Sequence, residues 1–361
     1  MNSNDYHPIW YQRNRPYAKF SKQVLAENGF TGSALNTIQG RIIHEWNKAL
    51  EFKKVNVDAI STDLMPEISL AFYYGAFAAN GYNLFSFTPH IGEMLANTKA
   101  TEIPISALKS PYPVYFIQFH QPVLWGNFEI SGSYIIDHPA IPVLQVCLVL
   151  KPLDESAHWM SSPSGYFYLP LPKDSDKSLG ELIQHTIDRE IAQKWEHATK
   201  SMPIEDSSII DIREQRAKRE TLDLSSGRIA IQKAMEYVAN CLCYLSSHSP
   251  SETNYPSDVP TALIDKLSNA KTENQKKKVQ AQLKSMGYLP VTYIRLEPKD
   301  ANTNTGTGNA NGTGKRQHWR RGHWRNQRKG QELSLSELIW IKPTLVGDGS
   351  VDGNVREYRL T

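Results

Sequence analysis

Four short stretches decide the fold: Pro113-Val-Tyr-Phe-Ile-Gln-Phe119, Gly132-Ser-Tyr-Ile-Ile-Asp137, Val143-Leu-Gln-Val-Cys-Leu-Val-Leu150 and Gly165-Tyr-Phe-Tyr-Leu169. Each has the length of a strand, is rich in β-branched and aromatic residues, and is set off by Pro, Gly or Asn. Their close succession predicts an antiparallel meander. The regular alternation of strand and helix that marks a doubly wound enzyme core is absent.

Helical patterns flank these strands. From Leu35 to Phe52, Ile38, Ile42, Trp46 and Leu50 recur every four residues, the spacing of a helix with one buried stripe. Leu64 to Asn80, starting near Pro66, carries Leu70, Phe72, Tyr73, Tyr74, Phe77 and Ala78 nearly all round, which predicts an internal helix. Ser178-Leu-Gly-Glu181 reads as a capping box before Leu182, Ile183, Ile187 and Ile191. A further apolar face follows Ser225, with Ile229, Ala230, Ala234, Val238, Leu242 and Leu245, and the mixed charges of 213–220 suit a helix surface or a connector. Thr261 to Met286 reads as one amphipathic helix with an exposed Lys276-Lys277-Lys278 turn, and Val291-Thr-Tyr-Ile-Arg-Leu296 as a strand. The fold class expected is α+β: an antiparallel meander sheet flanked by amphipathic helices, with a basic His-Trp-Arg loop inserted near the C-terminus. The expected organisation is a helical region at 1–60, an α+β core at 61–300, a flexible linker at 301–314, and a basic box with a closing strand at 315–361.

With 361 residues and 40% hydrophobic composition, the chain can bury a substantial core. No apolar run approaches the roughly 20 residues that cross a bilayer, and Met-Asn-Ser-Asn-Asp-Tyr-His-Pro8 lacks the character of a signal peptide, so a cytoplasmic location is expected. Cys147, Cys241 and Cys243 are too few for a disulfide framework, and all three are expected to be buried thiols.

The most distinctive segment is Lys315-Arg-Gln-His-Trp-Arg-Arg-Gly-His-Trp-Arg-Asn-Gln-Arg-Lys329, with seven fixed cations, two histidines and two tryptophans. Residues 291–361 carry twelve Lys/Arg against seven Asp/Glu, whereas residues 1–290 carry 28 against 30, so the net +3 originates in this tail. Guanidinium forks bind phosphate and indole faces stack on bases, which makes Lys315, Arg316, His318, Trp319, Arg320, Arg321, His323, Trp324, Arg325, Arg328 and Lys329 candidate nucleic-acid contacts. A solubilising loop would account for the charge but not for two His-Trp pairs. The uncharged, Gly/Asn/Thr-rich residues 301–314 before it predict flexibility, and Leu338-Ile-Trp-Ile-Lys-Pro343 after it predicts a strand. The basic element is therefore expected to hang between two strands of one sheet.

Enzyme signatures are missing: the sequence has no phosphate-binding glycine loop of the Walker kind, no strand-linked Gly-x-Gly-x-x-Gly, no His-Glu-x-x-His and no Gly-x-Ser-x-Gly. His318 and His323 could in principle serve as base and acid in a metal-independent ribonuclease. Two neutral imidazoles among seven cations would repel a divalent ion, so neither a metal nor a cofactor is expected. A third reading makes the basic box a contact for an acidic protein surface, without nucleic acid.

Arg320-Arg-Gly-His-Trp324, preceded by His318 and followed by Trp340-Ile-Lys-Pro343, resembles the carboxy-terminal basic box and closing strand of the type V-A anti-CRISPR family that inhibits biogenesis of the RNA-guided effector nuclease. Tyr74-Gly75-Ala76, Pro104, Pro113-Val-Tyr115, Tyr166 to Leu182 and Ala230 to Leu245 match the same family in the same order, so the resemblance spans roughly residues 60–346. The resemblance implies a cytoplasmic, non-catalytic protein of mobile elements and bacterial chromosomes. It further implies partners in a nascent amino-terminal peptide at the ribosome and the message being translated, which is then lost. Tyr73-Tyr74-Gly75-Ala76 and the strands from Tyr112 are candidate walls for that peptide, with a buried-core role as the competing reading.

Overall fold

The computed structural model describes residues 5–51, 64–139, 141–153, 165–200, 207–247, 252–294, 318–320, 322–331, 335–341 and 344–346. The chain begins with helices α1 (His7–Asn14), α2 (Ala18–Asn28), α3 (Gly32–Glu51) and α4 (Met65–Ala79). A short strand β1 (Leu84–Phe87), helix α5 (Pro89–Ala96) and strand β2 (Thr98–Lys99) lead into β3 (Val114–Trp125), β4 (Phe128–Ile136), β5 (Val143–Pro152) and β6 (Gly165–Pro172). Helices α6 (Leu179–Lys200) and α7 (Ser207–Ser247) follow, then β7 (Glu252–Asn254), α8 (Thr261–Ser268), α9 (Glu273–Ser285) and β8 (Val291–Ile294). The last elements are β9 (His318–Arg320), β10 (Gly322–Lys329), β11 (Leu335–Ile341) and β12 (Thr344–Val346).

The fold is α+β, built on a large, mostly antiparallel sheet of seven strands in the order β6-β5-β4-β3-β1-β8-β7. Each of β3 to β6 runs antiparallel to the next, β1 is parallel to both β3 and β8, and β7 closes the far edge antiparallel to β8. Alternate residues of each strand enter opposite cores. On β3, Val114 and Phe116 pack with α1–α4, while Tyr115, Ile117 and Phe119 pack in the core that α5, α6 and α7 cover. On β5, Cys147 and Val149 join the first core and Leu144, Val146 and Leu148 the second. Burial on both faces explains why these strands read as continuous apolar runs instead of alternating polar and apolar. All three cysteines are free and buried. Among the described residues, no helix is long and apolar enough to cross a membrane.

Several expectations need correction. Thr261 to Met286 is two helices: Thr272 Oγ1 accepts from the Gln275 backbone N–H and Gln275 Oε1 accepts from the Thr272 N–H, each at 3.3 Å, a capping box that restarts the chain as α9. The basic segment contains strand where a loop was expected, because β10 finds hydrogen-bonding partners on both sides, β11 and β2. The strands before and after it belong to different sheets, β8 to the seven-stranded sheet and β11 to the three-stranded sheet β11-β10-β2. Residues 301–314 lie outside the described residues. Strand β1, at four residues, is too short to announce itself by pattern.

Helices α1 and α4 are joined by a buried ion pair. Arg15 Nε donates to Glu67 Oε2 at 3.1 Å and Nη2 to Oε1 at 3.0 Å, while the Tyr17 hydroxyl donates to the same carboxylate and the Trp10 ring lies 4.8 Å from the guanidinium carbon. Removing one partner strands a buried charge, at about 3–5 kcal/mol. Glu67→Ala is accordingly expected to lower unfolding free energy by that amount in urea titrations, and a loss under about 1 kcal/mol would contradict the role assigned to the pair. Nearby, His7 Nδ1 shares a 3.3 Å hydrogen bond with the Tyr134 hydroxyl. Burial first, then the charges of Arg15 and Lys151, push the pKa of His7 down from 6.5 to about 3. The unfolded chain then binds the extra proton between those values, so stability is full above pH 6.5 and falls as pH drops toward 3. A His7→Gln variant is expected to show a shallower acid-side decline in thermal midpoint than the parent.

Candidate nucleic-acid interface

The basic strand β10 is held in place by its tryptophan. Its register with β11 sets Trp324 directly opposite Trp340, Arg325 opposite Ile339 and His323 opposite Ile341. Successive residues of a strand point to opposite faces, so both indoles share one face and His323 and Arg325 share the other. The indole rings stack with centroids 6.0 Å apart at 19°, and Trp340 meets the Tyr244 ring of α7 edge-on at 5.8 Å. Both tryptophans are half-buried against the core that α7 covers.

Hydrogen bonds fix this packing in register. Trp324 Nε1 donates to Asn240 Oδ1 at 2.7 Å, and Asn240 Nδ2 donates to the backbone oxygens of Leu95 and Thr98, both at 2.8 Å. Trp340 Nε1 donates to Thr98 Oγ1 at 3.1 Å, and that hydroxyl donates to the Met94 carbonyl at 2.8 Å. Asn240 is fully buried, and its amide connects α7, the α5–β2 corner and β10 at once. The backbone completes the attachment through Gly322 N–H to Asn97 O at 3.2 Å and the parallel pairing of Gly322 and His323 with Thr98 and Lys99.

With Trp324 turned inward, His323 and Arg325 face outward and are exposed; Arg328 falls on the tryptophan face but is exposed toward the end of the strand. Lys99 stands beside His323 through the β2–β10 pairing and ion-pairs with Glu102. The hydrogen bond and charge of Lys99, with a smaller contribution from His323, hold the Glu102 carboxyl below its ordinary range. His318, Trp319 and Arg320 lie in a different ladder, β9, paired with Val346, Leu345 and Thr344 of β12. Lys329 ends β10 opposite Leu335. Lys315, Arg316 and Arg321 fall outside the described residues. Among the described residues, no cluster of His, Cys, Asp and Glu is arranged to hold a metal.

Sequence reading treated Trp324 as an exposed stacking face, whereas its N–H and one ring face are engaged internally. Asn240 was missed, although one amide in the run Val238-Ala-Asn-Cys-Leu242 was its signal. The Tyr73-Tyr74-Gly75-Ala76 segment takes the competing core role. Both tyrosines are buried, and a Cβ on Gly75 would come within 2.7 Å of the Ser21 carbonyl oxygen, so α4 needs glycine there to pack on α2.

Residues 85–348 match the model of the AcrVA2-like family, described as the anti-CRISPR type V subtype A2 family. The chain is also similar to a solved structure described as the crystal structure of AcrVA2, at 12% identity and a TM-score of 0.40, with 95% of this chain and 99% of the other covered. No curated protein matches the sequence.

Loss of the Asn240 amide leaves the Trp324 N–H without its acceptor, at about 1–3 kcal/mol, and takes the side-chain donor from the Leu95 and Thr98 carbonyls. Asn240→Leu is therefore expected to speed amide hydrogen exchange in β10 and β2 well before it affects β4 and β5. Parental protection throughout β10 would show that the amide is not what holds the strand.

Proposed function

The chain belongs to the AcrVA2-like family of anti-CRISPR proteins, and from that membership we propose an anti-CRISPR-like, non-catalytic protein that couples recognition of a nascent amino-terminal peptide to loss of its message. In this reading the outward face of β10 contacts the RNA. The observation that carries the RNA half is the inward anchoring of Trp324, which turns His323 and Arg325 outward on a strand with defined register, while Arg328, further along the strand on the tryptophan face, is also exposed. A strand held on both sides loses less conformational entropy on binding than a free loop would, and arginines on it offer paired donors to phosphate oxygens. The peptide half comes from the family resemblance, and the core placement of Tyr73 and Tyr74 removes the segment first considered as its wall.

The test is sequencing of RNA that copurifies with tagged protein from translating cells, with and without puromycin to release nascent chains. Enrichment of one or a few messages that vanishes with puromycin is the expected result. Arg325→Ala combined with Arg328→Ala is expected to reduce the recovered RNA at least about tenfold and to lower the salt dependence of the remainder, since fewer phosphates are neutralised. Undiminished, puromycin-insensitive recovery from that variant would overturn the assignment. Cutting of RNA by the purified protein in the absence of ribosomes would replace it with the ribonuclease reading.

A further inference from the structure

The α8–α9 hairpin carries a second concentration of positive charge, separate from the basic strand. Residues 261–285 contain six lysines against two acids, a net charge of +4. Lys266, Lys271, Lys276, Lys277 and Lys278 are exposed, and none of the six takes part in an ion pair among the described residues. The hairpin has its own small core of Val259, Leu263 and Leu283 and is tied to α1 by the Arg13–Asp258 ion pair and by Gln12 donating to the Lys284 carbonyl at 3.1 Å.

An open cleft of about 910 Å³ lies between this hairpin, the turn at Gly81-Tyr82 and strand β7 at the edge of the seven-stranded sheet. Gln280 and Lys284 line it from α9. At about 100° per residue, Lys276 and Lys277 fall on the same arc of the helix as those two, with Glu273 of the first turn the one acid on it, whereas Lys278 points roughly 100° away from Lys277. The arc ends on an aromatic ring. Lys284 Nζ lies 3.8 Å from the Tyr82 centroid, and Lys22 Nζ from α2 reaches the same ring at 5.4 Å.

Each ammonium is attracted to the ring face, but the two repel each other, and an anion between them would offset that repulsion. Lys284 is half-buried, and its pKa is lowered, first by burial and then by the charge of Lys22. Tyr82 is held beneath them with φ 64°, left-handed backbone that a non-glycine residue rarely adopts. Apart from Asp265, the cleft's polar lining consists of Lys284, hydroxyls and amides, among them Thr253, Asn254, Ser268 and Gln280. Lysine point charges with neutral hydrogen-bonding groups suit phosphate and sugar contacts made without base readout.

We propose that this cleft is a second RNA-binding site, in which the α9 arc of Lys276, Lys277 and Lys284 takes the phosphates of a single strand. The site acts independently of β10 and binds RNA without sequence preference.

The experiment is titration of a fluorescent single-stranded RNA of mixed sequence into the full-length protein at several salt concentrations. Lys277→Gln with Lys284→Gln is expected to weaken binding about tenfold and to reduce the salt slope by about 1.4, because two phosphates are no longer neutralised. Lys271→Gln with Lys278→Gln removes the same charge off the arc and is expected to change affinity less than about twofold. Lys284→Arg keeps the charge and should bind like the parent, which separates a missing phosphate contact from a disturbed fold. The arc variant is also combined with Arg325→Ala and Arg328→Ala, and a further loss in that background is expected if the sites are separate. Equal losses for the arc and off-arc variants would reduce the hairpin to a general positive field, and unchanged binding in the arc variant would remove RNA from the cleft; either result overturns the proposal.

Discussion

Burial of the central sheet on both faces is the constraint from which the rest of the molecule follows. The four N-terminal helices contribute the core on one side and α5, α6 and α7 the core on the other, so the centre of the seven-stranded sheet is buried on both faces. The surfaces proposed for recognition lie at its margins. The basic strand is fastened to the outside of α7, and the cleft beside Lys284 opens where the sheet ends at β7. Both positions use a framework whose rigidity comes from packing that they do not interrupt.

The attachment of β10 shows how a small number of polar atoms can orient a charged surface. Stacked indoles contribute area, and about 0.5–1.5 kcal/mol beyond it, but apolar stacking alone tolerates sliding. Asn240 removes that freedom because its three hydrogen bonds, to Trp324, Leu95 and Thr98, are satisfied in one register only. Period-two alternation does the rest: once Trp324 faces inward, His323 and Arg325 must face outward. The same buried amide would be a liability elsewhere in α7, where its neighbours Val238 and Leu242 pack in the apolar core.

Family membership and physical reading inform different parts of the molecule. The family match begins at residue 85, next to the start of β1, and so includes the sheet, α7 and the basic strands but none of the helices α1 to α4. Those helices nevertheless contribute the Arg15–Glu67 pair and an entire core layer. Their sequence carries little outward charge pattern, consistent with a structural contribution to a chain whose charged features lie further on.

Local periodicity was enough to determine the elements that are long and regular. The stripe of Ile38 and Ile42, the apolar circumference of α4, the Ser178–Glu181 cap and the four consecutive strands from Val114 to Pro172 were legible because each carries its signal in the type and spacing of neighbouring residues. The basic composition of 315–329 was equally plain. What tertiary structure alone decided was partnership. The four-residue β1 inserts parallel between β3 and β8, Thr272 divides an apparently single helix, and a segment resembling a loop becomes a strand because β2 and β11 supply its hydrogen bonds. Whether Trp324 meets solvent or Asn240 depends on residues 84 positions apart in the chain. Such separations leave no trace in local pattern, because the free energy that selects them is realised only when distant surfaces close on each other and exclude water.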